Sequence, residues 1–467
     1  MKYSIIKNSE IIKSTRFDGS YHLSEGVLYS RKIHRMKFEY LGNLTSKIFT
    51  AGRSKRIYTS KDFGYPYLSN SDVSKNNPFD SCNYNSKKHG FDSKSVLKKG
   101  MIVTGRVGAI GQTSYITSEF EALNAMGSDN IIRIVSKDEN RSGYLYSYLA
   151  SKYGNTFFTK LASGGVQPYI SEEMIGEIPV PLLSEIKQEE IHQLIEDSAS
   201  LRVEANSKLN EANKKMKNLL NLNDLNSTDY ENFGNSNYKR RVATFSKSIK
   251  EISLDSINAF NYSKKIEILK NKISTSKTIS LLDCLNEKGL FSTGSFKRLE
   301  IESDKGIRLI NQSDIFNSKI IGKNISRKFI GNSKLVEYGE VLIAGVGTLG
   351  ESETFCRVIF ANESIENQLV SGEFIRMKTN ENIPSGYLFC FLSSDYGFRI
   401  IRSTQSGTKL CRPINSLLAK IQIPILSKEE MNDIDCDVKK AYTKYYLAEL
   451  KENQAIDLIE KEIDSWQ

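Results

Sequence analysis

Few residues in this sequence have types and spacing that could do chemistry. Gly345-Val346-Gly347-Thr348-Leu349-Gly350 fits GxGxxG after an apolar run. That pattern seats a dinucleotide or S-adenosylmethionine when a strand precedes it and a helix follows. Here Glu351-Ser352-Glu353-Thr354 follows, a poor start for a long helix, and the sister stretch Gly105-Arg106-Val107-Gly108-Ala109-Ile110-Gly111 spaces its glycines differently. Turn glycines at positive φ account for both. Asn76-Asn77-Pro78-Phe79 approaches the Asn-Pro-Pro-Phe signature of amino-methyltransferases, but Asn77 stands where proline is needed and no glycine-rich segment precedes it. A turn is expected there. Asp72 and Asp314 occupy repeated turn positions, where Asp caps or bends the chain. No GxxxxGK[ST] phosphate loop, GxSxG elbow or metal-type His pair occurs. His22, His34, His89 and His192 lack ligand spacing, and Cys82, Cys284, Cys356, Cys390, Cys411 and Cys436 form no CxxC. Neither a bound metal nor a disulfide framework is expected, and reduced thiols suit a cytoplasm. Nothing points to catalysis by this chain.

What remains is charge. Across 467 residues the net charge is +10 and the pI about 9.0, which permits an anionic partner, nucleic acid first. An AT-biased genome would enrich the same Lys, Asn and Ile codons, so charge alone does not decide. The basic residues cluster in expected loops: Arg53, Lys55 and Arg56, then Lys87 and Lys88, then Arg106, and later Lys297 with Arg298 and Lys409 with Arg412. Arg and Lys neutralise phosphates, and Arg can read base edges. Tyr58, Phe63, Tyr65, Phe291 and Phe296 interleave, although core packing suits most of them. A solvated surface patch is the plain alternative for each cluster. A hydrophobic fraction of 39% with 10% aromatic is a globular composition. No window approaches a membrane span, and Met1-Lys2-Tyr3-Ser4-Ile5-Ile6 lacks the features of a signal peptide.

The elements that must position these residues are written twice, roughly 240 residues apart. Gly64-Tyr65-Pro66-Tyr67-Leu68 answers to Gly306-Ile307-Arg308-Leu309-Ile310, and Lys99-Gly100-Met101-Ile102-Val103 to Tyr338-Gly339-Glu340-Val341-Leu342. Asn130-Ile131-Ile132-Arg133-Ile134 answers to Glu373-Phe374-Ile375-Arg376-Met377, and Ser142-Gly143-Tyr144-Leu145 to Ser385-Gly386-Tyr387-Leu388. The turn Ser163-Gly164-Gly165 meets Ser406-Gly407-Thr408, and Val180-Pro181 meets Ile423-Pro424. A long charged helix follows each copy. A 4,3 spacing picks out Ile191, Ile195, Ser198, Arg202, Ala205, Leu209, Ala212, Met216 and Leu219 in the first. In the second it picks out Ile434, Val438, Ala441, Tyr445, Ala448, Glu452, Ala455, Ile459 and Glu462. Such stripes suit an antiparallel coiled coil, with Ile191, Ile195, Leu209 and Met216 facing Ile434, Val438, Tyr445 and Ile459. A single amphipathic helix lying on a globular domain is the alternative.

The fold class expected is α+β: two pseudo-repeated mixed α/β domains separated by two long helices. In order these are an arm (1–15), a domain (16–185), a helix (186–220), a connector holding Tyr238-Lys239-Arg240-Arg241 (221–256), a second domain (257–427) and a second helix (428–467). With Arg16-Phe17-Asp18-Gly19-Ser20-Tyr21, the Gly100-to-Gly111 strand and turn, and the Ile178-Pro179-Val180-Pro181 step into a helix, this chain resembles the DNA-specificity subunit of type I restriction–modification systems. The resemblance implies a non-catalytic reader with two target-recognition domains, one for each half of a bipartite duplex site. The helices would act as a ruler, since some 30 residues at about 1.5 Å each span roughly 45 Å, or about 13 base pairs. It also implies two modification subunits that use S-adenosylmethionine to methylate adenine, and restriction subunits that use ATP and Mg, with no cofactor in this chain. Where the pattern departs, Gln422 replaces the Pro179 counterpart, and Ser256-Ile257-Asn258-Ala259 lacks the Arg and Asp of the first opening. Competing readings are a tandem-repeat adaptor that binds protein, and a self-contained methyltransferase or nuclease.

Overall fold

The computed structural model describes residues 5–14, 17, 19–23, 25–108, 110–161, 169–225, 244–302 and 305–466. The 163–168 turn, Arg16, Asp18 and the 238–241 cluster lie outside them. Contacts divide the chain into two units, Met1–Val203 with Leu447–Gln467, and Glu204–Tyr446. Each unit therefore owns half of each long helix. The arm is helical over Asn8–Ser14.

The strands of the first unit are β1 (Phe38–Tyr40), β2 (Thr45–Thr50), β3 (Gly64–Leu68), β4 (Asn83–Ser86), β5 (Ile102–Gly105), β6 (Thr113–Tyr115), β7 (Met126–Gly127), β8 (Ile131–Ser136) and β9 (Pro179–Pro181). Among the described residues they form three sheets, β1-β9, β2-β8-β5-β6 and β4-β3-β7, in which only β3 and β7 run parallel. The β-branched run of β5 and β8 is buried on both faces, and the period of two sorts it. Ile102, Ile132 and Ile134 meet the helices Ser142–Ala150 and Lys152–Leu161, whereas Val103 and Ile131 meet Leu68, Leu97 and Phe120. Each such side chain contributes about 1.5–3 kcal/mol by burial. Tyr144 donates to the Pro181 carbonyl at 2.5 Å and Tyr148 to Pro179 at 2.6 Å, which fastens that helix to β9.

The second unit contains β10 (Thr278–Ser280), β11 (Ile307–Ile310), β12 (Lys323–Ile325), β13 (Val341–Ala344), β14 (Val358–Phe360), β15 (Leu369–Val370), β16 (Phe374–Met377), β17 (Gln405–Ser406), β18 (Arg412–Pro413) and β19 (Gln422–Pro424). Its pairings β10-β19, β12-β11-β15 and β14-β13-β16 have the same order and direction as β1-β9, β4-β3-β7 and β6-β5-β8. Gln422 fills the place of Pro179 without loss of the pairing, opposite Ser280. The counterpart of β2 is reduced to bridges at Leu285 and Phe291. Tyr387 donates to Pro424 at 2.7 Å, as Tyr144 does to Pro181. Gly100 (φ +79) and Gly339 (φ +82) make the left-handed turn that starts β5 and β13.

The long helices are Glu185–Leu219 and Lys428–Ser465, and they run antiparallel. In the first unit Asp197 meets Lys451 at 2.8 Å, Ser198 Oγ donates to the Ala448 carbonyl at 2.7 Å, and Lys187 pairs with Glu462. In the second, Glu204 meets Lys444 at 2.5 Å, and Lys215 pairs with Asp433. Ile191, Ile195, Met216, Ile434, Val438, Tyr445 and Ile459 are buried, and Leu209 is partly so. Two polar stripe residues answer each other: Arg202 Nη2 meets Glu452 Oε2 at 2.7 Å, and Glu452 also accepts from Tyr146 at 2.6 Å. The outer stripe positions fail. Leu219 is exposed and Glu462 faces Lys187, while Leu220 and Ile463 are buried in their stead. A straight helix drifts about 20° per heptad from a 3.5-residue repeat, which moves the buried face one residue on.

Candidate nucleic-acid interface

The basic loops of the first unit are pinned by one residue that charge does not reveal. Asn85, on β4, is fully buried. Its Oδ1 accepts from Ile57 N at 2.7 Å, and its Nδ2 donates to the carbonyls of Lys55 (3.1 Å) and Gly90 (2.8 Å). A Cβ on Gly90 would come within 2.4 Å of the Asn85 amide, so that turn closes only with glycine. The 53–59 segment thus lies along β4, with Ser86 N donating to Ile57 O and Thr59 N to Tyr84 O.

On this frame Arg56 and Arg53 share the Asp129 carboxylate, at 2.5 and 3.6 Å. Arg56 lies 5.8 Å from the Tyr67 ring, and Lys87 lies 5.4 Å from Tyr65 while donating to Asp62 O at 3.1 Å. Tyr65 and Tyr67 are two apart on β3, so both cations cover one sheet face. Phe91 packs on Tyr65 at 5.2 Å and remains exposed, as do Phe63, Lys55 and Lys88. Arg53 and Arg56 are exposed at their end of these pairs, although Asp129 is half-buried. Solvent-screened pairs of this kind contribute about 0–1 kcal/mol, so both arginines can turn to a phosphate at little cost. Arg106 is used differently. Half-buried, it donates from Nη2 to Tyr169 Oη at 2.6 Å and stacks 4.9 Å from that ring, tying the loop after β5 to the chain beyond residue 168.

The second unit repeats the edge with other side chains. Residues 299–301 lie along β12, with Ser326 N donating to Leu299 O and Ile301 N to Asn324 O. Lys297 stands 4.5 Å from the Phe329 ring and Lys328 5.9 Å from it, while Arg298 lies 5.5 Å from Phe296. Lys328, Phe329 and the neighbouring Arg327 join this edge, and the Arg-Lys pair is the sequence signal that marks them. Lys409 and Arg412 are exposed on the β17–β18 hairpin rather than on this edge; Gly407 (φ +105) makes its turn, where a Cβ would meet Leu410 O at 2.7 Å. Phe291 is not part of the edge, because it bridges to Arg376.

The glycines of the two related stretches answer to different local needs. Gly108 and Gly111 have φ of +83 and +88, as expected of turn glycines, but Gly345, Gly347 and Gly350 do not have positive φ. They are there because of close approach: a Cβ on Gly345 would meet Glu373 O at 2.6 Å, and on Gly347 the Phe355 Cβ at 3.0 Å. Gly345 N and Gly347 N already donate to Glu373 O and Cys411 O. Asn76–Phe79 is a turn in which Phe79 N donates to Asn77 Oδ1 at 3.2 Å, and Asp72 completes a capping box with Ser69. Among the described residues no group of three or more His, Cys, Asp or Glu could hold a metal ion, and no helix is long and apolar enough to cross a membrane.

Residues 46–212 match the family model for the type I restriction modification DNA specificity domain. The matched segment runs from β2 into the first long helix. No curated protein matches the chain. Similar solved structures include a type I restriction-modification S subunit from M. genitalium, at 14% identity and TM-score 0.32, covering 92% of each chain. The HsdS subunit from Thermoanaerobacter tengcongensis is similar at 12% identity and TM-score 0.26, covering 92% of this chain and 97% of that one.

Proposed function

We propose that this chain is the non-catalytic reader of a type I restriction–modification complex and that each unit recognises one half of a bipartite duplex target. The observation that carries this reading is the basic and aromatic sheet edge, built on the same strand plan in both units but lined with different side chains. Equal backbones with unequal contacts suit two different half-sites. Adenine methylation with S-adenosylmethionine, and cleavage with ATP and Mg, belong in this reading to cytoplasmic modification and restriction subunits. The number of helical residues between the recognition units would set the spacer between half-sites.

Methylation sequencing of cells with and without this chain, alongside a modification subunit, tests it. A bipartite methyladenine motif that depends on the chain is expected, and replacement of residues 16–185 should alter one half only. A methylation pattern indifferent to the chain overturns the reading and favours a protein-binding adaptor. An adaptor would bind its partner with little salt dependence, whereas phosphate contacts make affinity fall steeply with salt.

A further inference from the structure

A second basic cluster in the second unit belongs to neither the sheet edge nor the hairpin. It is built from the turn after β13 and the helix Asp395–Arg402. Arg399 Nη2 donates to Glu351 Oε2 at 2.8 Å, and Arg357 Nη2 donates to the Glu351 carbonyl at 2.6 Å. Arg402 is fully buried, yet its Nη1 stops 3.8 Å from Glu351 Oε1, beyond hydrogen-bond reach. Among the described residues Arg402 Nε, Nη1 and Nη2 have no hydrogen-bond partner, and neither does Glu351 Oε1. Arg357 and Arg402 both lie against the Phe398 ring, at 4.5 and 4.6 Å. Asp395, 3.8 Å from Arg399, is the further carboxylate at the cluster.

A buried guanidinium whose donors are unmet is expensive, and such sites persist where a ligand completes them. Glu351 is a poor fit, since its planar carboxylate reaches Arg399 and leaves Arg402 short. A tetrahedral oxyanion presents more acceptors over a wider arc and meets two forked guanidinium groups together. Glu351 is partly exposed, so rotation of its side chain opens the seat to solvent. The matching positions of the first unit, aligned through Tyr153-Gly154 and Tyr396-Gly397, are Thr156 and Thr159, so the cluster belongs to one copy alone.

We propose that Arg399 and Arg402, with Arg357 beside them, form a seat for a phosphate group, and that Glu351 fills it as an internal stand-in until displaced. The phosphate is either a backbone phosphodiester of DNA, which rests on the function proposed above, or free inorganic phosphate.

The test uses the full chain carrying Glu351→Gln. Thermal unfolding is followed against inorganic phosphate, with chloride at equal ionic strength as the reference, and duplex affinity is measured against salt. Phosphate should protect Glu351→Gln at a concentration at least ten-fold lower than wild type, and adding Arg399→Gln should abolish the gain. A duplex salt slope steeper by about one in Glu351→Gln marks a DNA phosphodiester as the occupant. An unchanged slope with the phosphate gain retained marks free phosphate. If chloride protects Glu351→Gln as well as phosphate does, the seat is overturned, whether or not the chain binds duplex. Failure of the wild type to bind any duplex overturns the DNA reading, and the phosphate arm still decides the seat. Should Glu351→Gln not fold, the shorter carboxylate of Glu351→Asp should give an intermediate gain, and no gain counts against the proposal.

Discussion

Arg133 and Arg376 stand at the same point of the two units, on β8 and β16, and both are buried. Arg376 is held by a carboxylate: Nε and Nη2 each donate to Glu340 at 2.8 Å, and the remaining donors meet the carbonyls of Lys334 and Leu335. Arg133 has carbonyls alone, those of Ser95, Gly127, Ser128 and Ile131, because Met101 occupies the place of Glu340. With no carboxylate bonded to it, burial pushes the Arg133 guanidinium down to about 10, against the weaker opposing pull of Asp92, Tyr67 and Asp129. A second pair of positions tells the same story. Gly143 N donates to His192 Nδ1 at 3.1 Å, whereas Gly386 N donates to Asp435 Oδ1 at 2.7 Å. The duplicated backbone preserves where a donor must be answered, and the chemistry of the answer has diverged. In the first unit those answers are neutral, and Arg133 also braces Gly127 and Ser128 beside Asp129, the residue that holds Arg53 and Arg56.

The largest effect expected from this contrast is Glu340→Ala, which leaves Arg376 buried and uncompensated and should cost about 3–5 kcal/mol in urea unfolding. Arg133→Met should cost less, about 1–3 kcal/mol, because it strands carbonyls rather than a charge. Equal losses would erase the distinction between the two sites. On the binding side, Arg56→Ala and Lys87→Ala should each lower the salt slope of duplex binding by about one, and Lys297→Ala should do so through the other unit. An unchanged slope would remove that residue from the interface. The smallest effect concerns pH. Burial holds His192 below the ordinary imidazole value, against the opposing pull of Glu196 and Asp138, and Lys99 adds to the lowering. The unfolded chain therefore takes up the proton first, so stability should fall as pH drops below about 6.5 and level off below the folded value. His192→Asp, which copies the second unit, should flatten that part of the pH profile of the melting temperature, and an unaltered profile would show that His192 does not carry it.

Much of this was legible because repetition and period are long-range signals. The strands at 102–105 and 341–344, the Tyr-bearing helices, and the positions of the basic loops all followed from local pattern. The outer ends of the helix stripes did not, since heptad spacing drifts from the helical period and Leu220 and Ile463 take the buried places. Asn85 and Asp129 were invisible for another reason. A polar residue in a loop or strand has no periodic mark, and its importance lies in partners brought near only by folding. The bond from Arg106 to Tyr169 was likewise hidden, because the two residues stand 63 positions apart in the chain. Glycine at 345 and 347 answered to crowding by Glu373 and Phe355, which no spacing rule can see.

Because each unit owns half of both long helices, contact modules and gene segments do not coincide. The first unit returns for residues 447–467 after the whole second unit has been made. A single genetic crossover near position 203 would therefore deliver a new front half to an old tail, leaving Arg202 to find whatever stands at Glu452. Exchange of residues 16–185 leaves Arg202 and Glu452 together in the original chain, since its second breakpoint falls at the first residue of the helix. Lineages that trade recognition domains by recombination should accordingly place their junctions at the helix starts and keep the two helices together as an inherited pair.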